Sequence, residues 1–165
     1  MRHGPSLTAQ WVAFARAAGG YLPPELVLAE DPYGARFAEI PSALLTRFAS
    51  TAPQLTQTLL LHAGLLSDLV LWMQLRTRAI DDVLLSFLRE GYAQAVILGA
   101  GYDARALRFS EQLGDAKIFE VDHPHTQSYK LSRIAKVARV SYLPWDFEHM
   151  PMHELPAALE KLGLA

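Results

Sequence analysis

Apolar residues follow two different periods in this chain, and the change between them near residue 92 separates a helical half from a half with strand signals. In the first half, Thr8 to Ala18 reads as a helix and ends at Gly19-Gly20, a C-terminal stop signal. Tyr21 to Pro32 carries Pro23-Pro24 and Asp31-Pro32. Proline fixes φ and pushes its predecessor out of the α region, so this stretch is predicted as loop. A helix is expected over Tyr33 to Ile40, ending before Pro41. Leucines recur at helical spacing from Gln54 to Met73, and a further helix over Arg76 to Arg89 stops at Gly91. Ile80, Leu84, Phe87 and Leu88 form its apolar face.

Beyond residue 92 the pattern becomes short β-rich runs between helical segments. Ala93 to Leu98 is an apolar run ending in glycine, as expected of a parallel strand buried on both faces. Lys117 to Val121 and Ala138 to Leu143 are the next two such runs, the last ending at Pro144. Arg105 to Leu113 and Thr126 to Ala135 are predicted helices between them. The resulting β-α-β-α-β order implies right-handed crossovers and a doubly wound α/β sheet. The expected organisation is a helical region over residues 1–91 and a partial Rossmann-like region over residues 92–165.

Composition narrows the function classes. The chain has 165 residues, 51% hydrophobic and 19% charged, enough apolar material to bury a core and too much for disorder. Fifteen basic against seventeen acidic residues leave a net charge of −2, which makes nucleic acid or an anionic membrane surface a poor partner. There is no cysteine, so disulfide scaffolds, thiolate zinc sites and thiol nucleophiles are excluded. Met1 to Pro5 leads into no apolar core of a secretion signal, and the cytoplasm is the expected compartment. The most apolar window, Leu59 to Met73, holds His62, Ser67 and Asp68 and falls short of the roughly 20 apolar residues of a spanning helix, so no membrane role is expected.

Candidate chemistry sits where the first strand turns into a helix, at Leu98-Gly99-Ala100-Gly101-Tyr102-Asp103-Ala104. Gly99 and Gly101 lack Cβ and permit a ligand to approach the backbone. Asp122 lies twenty-one residues beyond Gly101, at the end of the second strand, where a carboxylate can accept hydrogen bonds from ribose hydroxyls. Asp146 follows the third strand in Trp145-Asp146-Phe147, beside a ring able to flank a purine. Three strand ends thus offer polar groups to one crevice, the usual ligand site of open α/β sheets. Gly99-x-Gly101-x-x-Ala104 also satisfies a dinucleotide fingerprint, so NAD is open on spacing. Asp103 in the turn would repel a pyrophosphate, whereas a sulfonium cofactor without phosphate would tolerate it. His123-Pro124-His125 and His149-x-x-x-His153 have metal-ligand spacings, but Pro124 and Pro151 disrupt them, and solvated loop histidines are the expectation.

Several of these runs together resemble one family. Arg76-Thr77-Arg78-Ala79-Ile80-Asp81-Asp82, then Val96 to Phe109, then Phe119-Glu120-Val121-Asp122-His123-Pro124 with Lys130 beyond, is similar to the S-adenosylmethionine-dependent leucine carboxyl methyltransferases, which include polyketide O-methyltransferases. Ala13-x-x-Arg16-Ala17 and Asp31-Pro32 resemble the family's opening segment. The resemblance implies that Arg76, with Arg78 as a weaker candidate, holds the methionine carboxylate. It also implies that Gly99 and Gly101, with Asp103 between strand and helix, line the cofactor, that Asp122 binds ribose, and that Asp146 and Phe147 contact adenine. The helical region becomes a cap over a small-molecule or carboxylate acceptor. A carboxylate acceptor needs no general base; for a hydroxyl acceptor His123, His125 and Tyr102 are candidates.

Family members continue well beyond the last residues here. In the implied strand order 3-2-1-4-5-7-6, the strand Ala95 to Leu98 would be central, and in this chain it becomes an edge. The chain is therefore expected to be a fragment, to pair with a missing C-terminal half, or to self-associate. A nicotinamide-dependent oxidoreductase and a non-catalytic relic acting through chain association are the competing expectations.

Overall fold

The computed structural model describes residues 6–165, residues 39 and 40 by backbone alone, and Met1 to Pro5 lies outside the described residues. The chain forms two compact units, a helical one over Leu7–Leu84 and an α/β one over Leu85–Ala165, which also takes in Ser6.

The helical unit contains α1 (Leu7–Gly19), α2 (Glu39–Thr51), α3 (Pro53–His62) and most of α4 (Leu65–Arg89), with 3-10 turns at Pro24–Leu26 and Gly34–Arg36. Its core gathers Phe14, Ala15, Ala18, Leu22, Ala38, Leu60, Val70 and Met73. Two helix boundaries differ from the sequence expectation. Pro41 does not end a helix: the residues before it form a 3-10 turn, and the proline lies in the first turn of α2, where a missing N–H costs nothing. Nor is there a break after Met73. It falls instead at Ala63-Gly64, where Gly64 takes φ +57, and α4 runs uninterrupted to Arg89. No single helix among the described residues is long and apolar enough to cross a membrane; α3 and α4 reach that hydropathy only together, across a 90° bend.

Polar anchors hold the irregular segment between α1 and α2. Asp31 accepts from Arg16 Nε at 2.7 Å and from the backbone N–H of Tyr33 and Gly34 at 3.0 and 3.1 Å. The buried Gln74 Oε1 accepts from Leu28 and Ala29 N–H, both at 2.9 Å. Gly34 is required by contact, since a Cβ there would stand 2.5 Å from the Ala13 carbonyl oxygen. Within this unit Tyr21, Leu22, Val27, Asp31, Ser42 and Thr46 help line a cavity of about 680 Å³.

The α/β unit contains β1 (Gln94–Leu98), α5 (Arg105–Arg108), β2 (Lys117–Asp122), α6 (Pro124–Arg133), β3 (Val140–Pro144) and α7 (Leu155–Glu160). The sheet is parallel in the order β1-β2-β3, with Val96 opposite Phe119 and Phe119 opposite Ser141. It is the α/β architecture expected of a partial Rossmann-like methyltransferase sheet. Alternation along β2 sends Phe119 and Val121 to one face, against Trp145, Leu155 and Leu159, and Ile118 to the other, against Ala106 and Leu113. Only β2 is buried on both faces. In β1, Val96 and Leu98 are 37% and 54% exposed, because among the described strands β1 pairs with β2 alone. The segment after β1 winds only one turn of helix before Leu113 is drawn into the core and Gly114 turns the chain at φ +53.

Two buried polar features shape this unit. Glu120 of β2 and Lys130 of α6, each with a side chain 1% exposed, pair at 2.5 Å, and Gln127 Nε2 donates to the Glu120 carbonyl. Burial drives the Glu120 pKa up, against the opposing pull of Lys130. Tyr102 is also buried, packs on Tyr129 at 5.5 Å, and is pushed up to about 12 by burial and then by Tyr129 and Asp122.

Lys130→Met is expected to lower stability by about 3–5 kcal/mol, because it strands the buried Glu120 charge. Glu120→Leu with Lys130→Met should recover at least half of that loss in urea unfolding at pH 7, and an equally unstable double variant would contradict this account. The buried phenol predicts a second effect. The folded pKa of Tyr102 is raised, so its contribution is intact below pH 10 and is lost toward pH 12, by up to about 2 kcal/mol. Thermal unfolding across pH 9–12 should show a loss that Tyr102→Phe reduces.

Candidate functional site

Among the described residues the C-terminal ends of the three parallel strands lie side by side at one end of the sheet, where backbone turns share a carboxylate. After β1 the chain turns with Gly99 at φ +63 and Gly101 at φ +51, conformations that L side chains avoid. Ala100 N–H donates to the Val121 carbonyl at 3.1 Å, which carries the turn across to β2. Gly101 N–H then donates to Asp122 Oδ2 at 2.6 Å, and His123 N–H donates to Asp122 Oδ1 at 2.6 Å. Each oxygen keeps a further lone pair, so a half-buried Asp122 can still accept from a ligand. Among the described residues, and apart from Gly99's own chain neighbours, nothing lies within 4 Å of where a Cβ on Gly99 would stand, which leaves room above the turn for a ligand.

Asp146 lies two residues past β3, where Trp145 N–H donates to the Asp122 carbonyl at 2.8 Å and ties the strand ends together. Asp146 Oδ1 accepts from Glu148 N–H at 3.0 Å, and Oδ2 meets His149 Nδ1 at 2.8 Å and His123 Nε2 at 3.6 Å. The His149 hydrogen bond is the main reason the Asp146 pKa is lowered. The two neighbouring rings differ: Trp145 is buried in the core, whereas Phe147 is 39% exposed and available to a planar ligand.

Asp103 does not offer a bare charge to these strand ends. It is buried, accepts from Arg105 N–H at 2.8 Å, and is paired with the Arg105 guanidinium. The expected repulsion of a pyrophosphate by Asp103 is therefore compensated within the chain. Arg76 and Arg78 belong to the helical unit, on α4. Arg78 is engaged with Asp82 at 2.9 and 2.8 Å, while Arg76 is exposed and has no ion-pair partner among the described residues. Tyr102 remains a protonated phenol at neutral pH and is no general base.

His125, His149 and His153 are exposed and His123 is partly so, and two of the four also hold the chain's turns. His123 Nδ1 accepts from His125 N–H at 3.2 Å and caps α6, and His149 serves Asp146. The signals were an Asx-type spacing at Asp146-x-x-His149 and a histidine directly before a proline-led helix. Glu120 and Lys130 were a further missed pair, legible only as an acid inside an apolar strand with a lysine beyond.

Comparison with known proteins places this geometry. The chain is 37% identical over 162 residues to a Rhodococcus jostii protein whose name proposes an S-adenosyl-L-methionine-dependent methyltransferase, a match covering 95% of this chain and 50% of that one. A Mycobacterium ulcerans protein with the same proposed activity is 35% identical over 133 residues, covering 78% of this chain and 41% of its own. A Streptomyces coelicolor protein so named is 49% identical over 57 residues, 34% of this chain and 18% of that one. The chain thus spans about half the length, or less, of these curated relatives. The model of the family described as leucine carboxyl methyltransferase matches residues 9–165, which takes in both units and every strand end described above. By that match, the chain belongs to the leucine carboxyl methyltransferase family.

Proposed function

We propose that this chain is the cofactor-binding portion of an S-adenosylmethionine-dependent O-methyltransferase acting in the cytoplasm on a small-molecule carboxylate or hydroxyl. The observation that carries this is the open turn at Gly99, hinged through Gly101 N–H to the strand-end carboxylate of Asp122. Family membership and the names of the relatives support the cofactor. The residues present suit it: open space over a glycine, a carboxylate with spare lone pairs for two ribose hydroxyls, and an exposed ring beside a second carboxylate.

In this assignment Asp122 orients the ribose, Asp146 and Phe147 hold the adenine, and Gly99 and Gly101 admit the backbone approach. When bound, S-adenosylmethionine supplies an electrophilic methyl group on sulfur, which leaves the protein to orient its partner and exclude water. A carboxylate acceptor is already ionised at pH 7 and asks for no base, which suits a site whose buried tyrosine is held protonated.

The partner proposal concerns the sheet edge. The unpaired side of β1, with Val96 and Leu98 exposed, is a template for a further strand, and the relatives are long enough to supply one. On its own, this chain is proposed to use that edge for self-association.

Calorimetry should detect S-adenosylhomocysteine and S-adenosylmethionine binding to the chain in preference to NAD. Asp122→Asn should weaken it about 10- to 100-fold, the loss of one or two charge-assisted hydrogen bonds. Preference for NAD, or an unaffected variant, would refute the assignment. Sedimentation at rising concentration should reveal self-association that Val96→Lys suppresses. A chain that stays monomeric at high concentration would end the edge proposal.

A further inference from the structure

Helix α4 is apolar on the side it leaves in water. The side chains it buries are Ser67, Val70, Met73, Gln74, Thr77 and Asp81, of which all but Val70 and Met73 are polar. Its opposite side carries Leu65, Trp72, Leu75, Ala79 and Val83, all within the helical unit. Leu65, Trp72, Leu75 and Val83 are 88%, 60%, 57% and 54% exposed. Leu65, Trp72 and Ala79 repeat every seven residues with Leu75 and Val83 alongside, so the stripe runs roughly 27 Å along the helix. A continuous apolar stripe of this kind, unlike scattered surface leucines, marks a face that another surface covers.

Charges mark its borders. Asp68 and Arg76, both exposed, stand four residues before and after Trp72. Arg78 pairs with Asp82 at 2.9 and 2.8 Å. An apolar strip within a charged rim is the anatomy of a contact between polypeptides. The acids on the rim and the net charge of −2 disfavour an anionic lipid surface.

We propose that this face of α4 is the docking surface for the portion of the family's polypeptide that has no counterpart in this chain, which would meet it with an apolar helix or strand face. The length of the relatives carries the choice of occupant. The match to the Rhodococcus jostii protein takes up 95% of this chain and 50% of that one, so as much polypeptide again lies outside it. The Mycobacterium ulcerans protein is matched over 41% of its length. A segment joined to the same chain reaches such a face at high effective concentration, ahead of a second molecule. The inference extends the partner proposal from the β1 edge to the helical unit, and it rests on family membership rather than on the cofactor assignment.

The test joins the unmatched half of the Rhodococcus jostii protein to this chain after Ala165 and compares the fusion with the 165-residue chain by hydroxyl-radical footprinting. Trp11, 56% exposed, and the buried Trp145 serve as references. Trp72 should be labelled like Trp11 in the chain alone and like Trp145 in the fusion, with Leu75 and Val83 protected alongside. Trp72→Glu should leave the thermal unfolding midpoint of the chain alone unchanged, because the ring there meets water, and should lower that of the fusion. Co-expressed as separate polypeptides, the two should copurify, and Trp72→Glu should abolish this. An unprotected Trp72 in the fusion, no complex in either form, or a Trp72→Glu effect equal in chain and fusion overturns the inference. Protection that grows with the concentration of the chain alone assigns the face to a second copy, and protection by phosphatidylcholine vesicles but not in the fusion assigns it to lipid; either overturns the inference as well. A fusion that binds S-adenosylhomocysteine with Trp72 still exposed refutes this inference and spares the cofactor assignment, and one that protects Trp72 without binding does the reverse.

Discussion

The carboxylate of Asp122 joins two backbone turns that have no other reason to lie together. Gly101, in the turn after β1, and His123, at the start of α6, each donate an N–H to it, one to each oxygen. These are charge-assisted hydrogen bonds at the half-buried end of a strand, stronger than those between neutral groups. With both turns fixed, the strand ends carry a carboxylate still able to accept. Asp122 thus fixes both turns at once.

Such an arrangement concentrates negative charge, and the α/β unit compensates for it locally. Glu120 is two residues before Asp122 on β2, and both it and Asp103 feel the same neighbourhood. Lys130 pairs with Glu120 and Arg105 with Asp103, whereas Asp122 is held by the backbone N–H groups of Gly101 and His123. Asp146, at the next strand end, takes histidines instead.

The helical unit solves another problem with similar means. Between α1 and α2 the chain has little regular structure to satisfy its backbone, so Asp31 and Gln74 supply acceptors from the interior. Arg16 then neutralises Asp31. This gives a physical account of why Arg16 and Asp31 appear together in the segment that resembles the family's opening: they close a loop by hydrogen bonding where packing alone would leave orphaned N–H groups.

The sequence by itself determined the β-α-β-α-β order, the positions of the strands to within about two residues, the glycine turn and the two strand-end carboxylates. These are local signals: apolar runs bounded by turn residues, and glycines where φ must be positive. The family was legible for the same reason, since its motifs are contiguous. What only the tertiary structure decided depends on residues far apart in the chain. Pro41 opens α2 because the preceding segment is anchored elsewhere, and Gly64, not the stretch after Met73, breaks the leucine-rich helices. Asp103 pairs with Arg105, Glu120 meets Lys130, and His123 and His149 meet at Asp146. Periodicity reports which face of an element is apolar. It carries no record of which polar side chain, delivered by another element, will find a carboxylate there, because that pairing is set by strand register and helix packing in three dimensions.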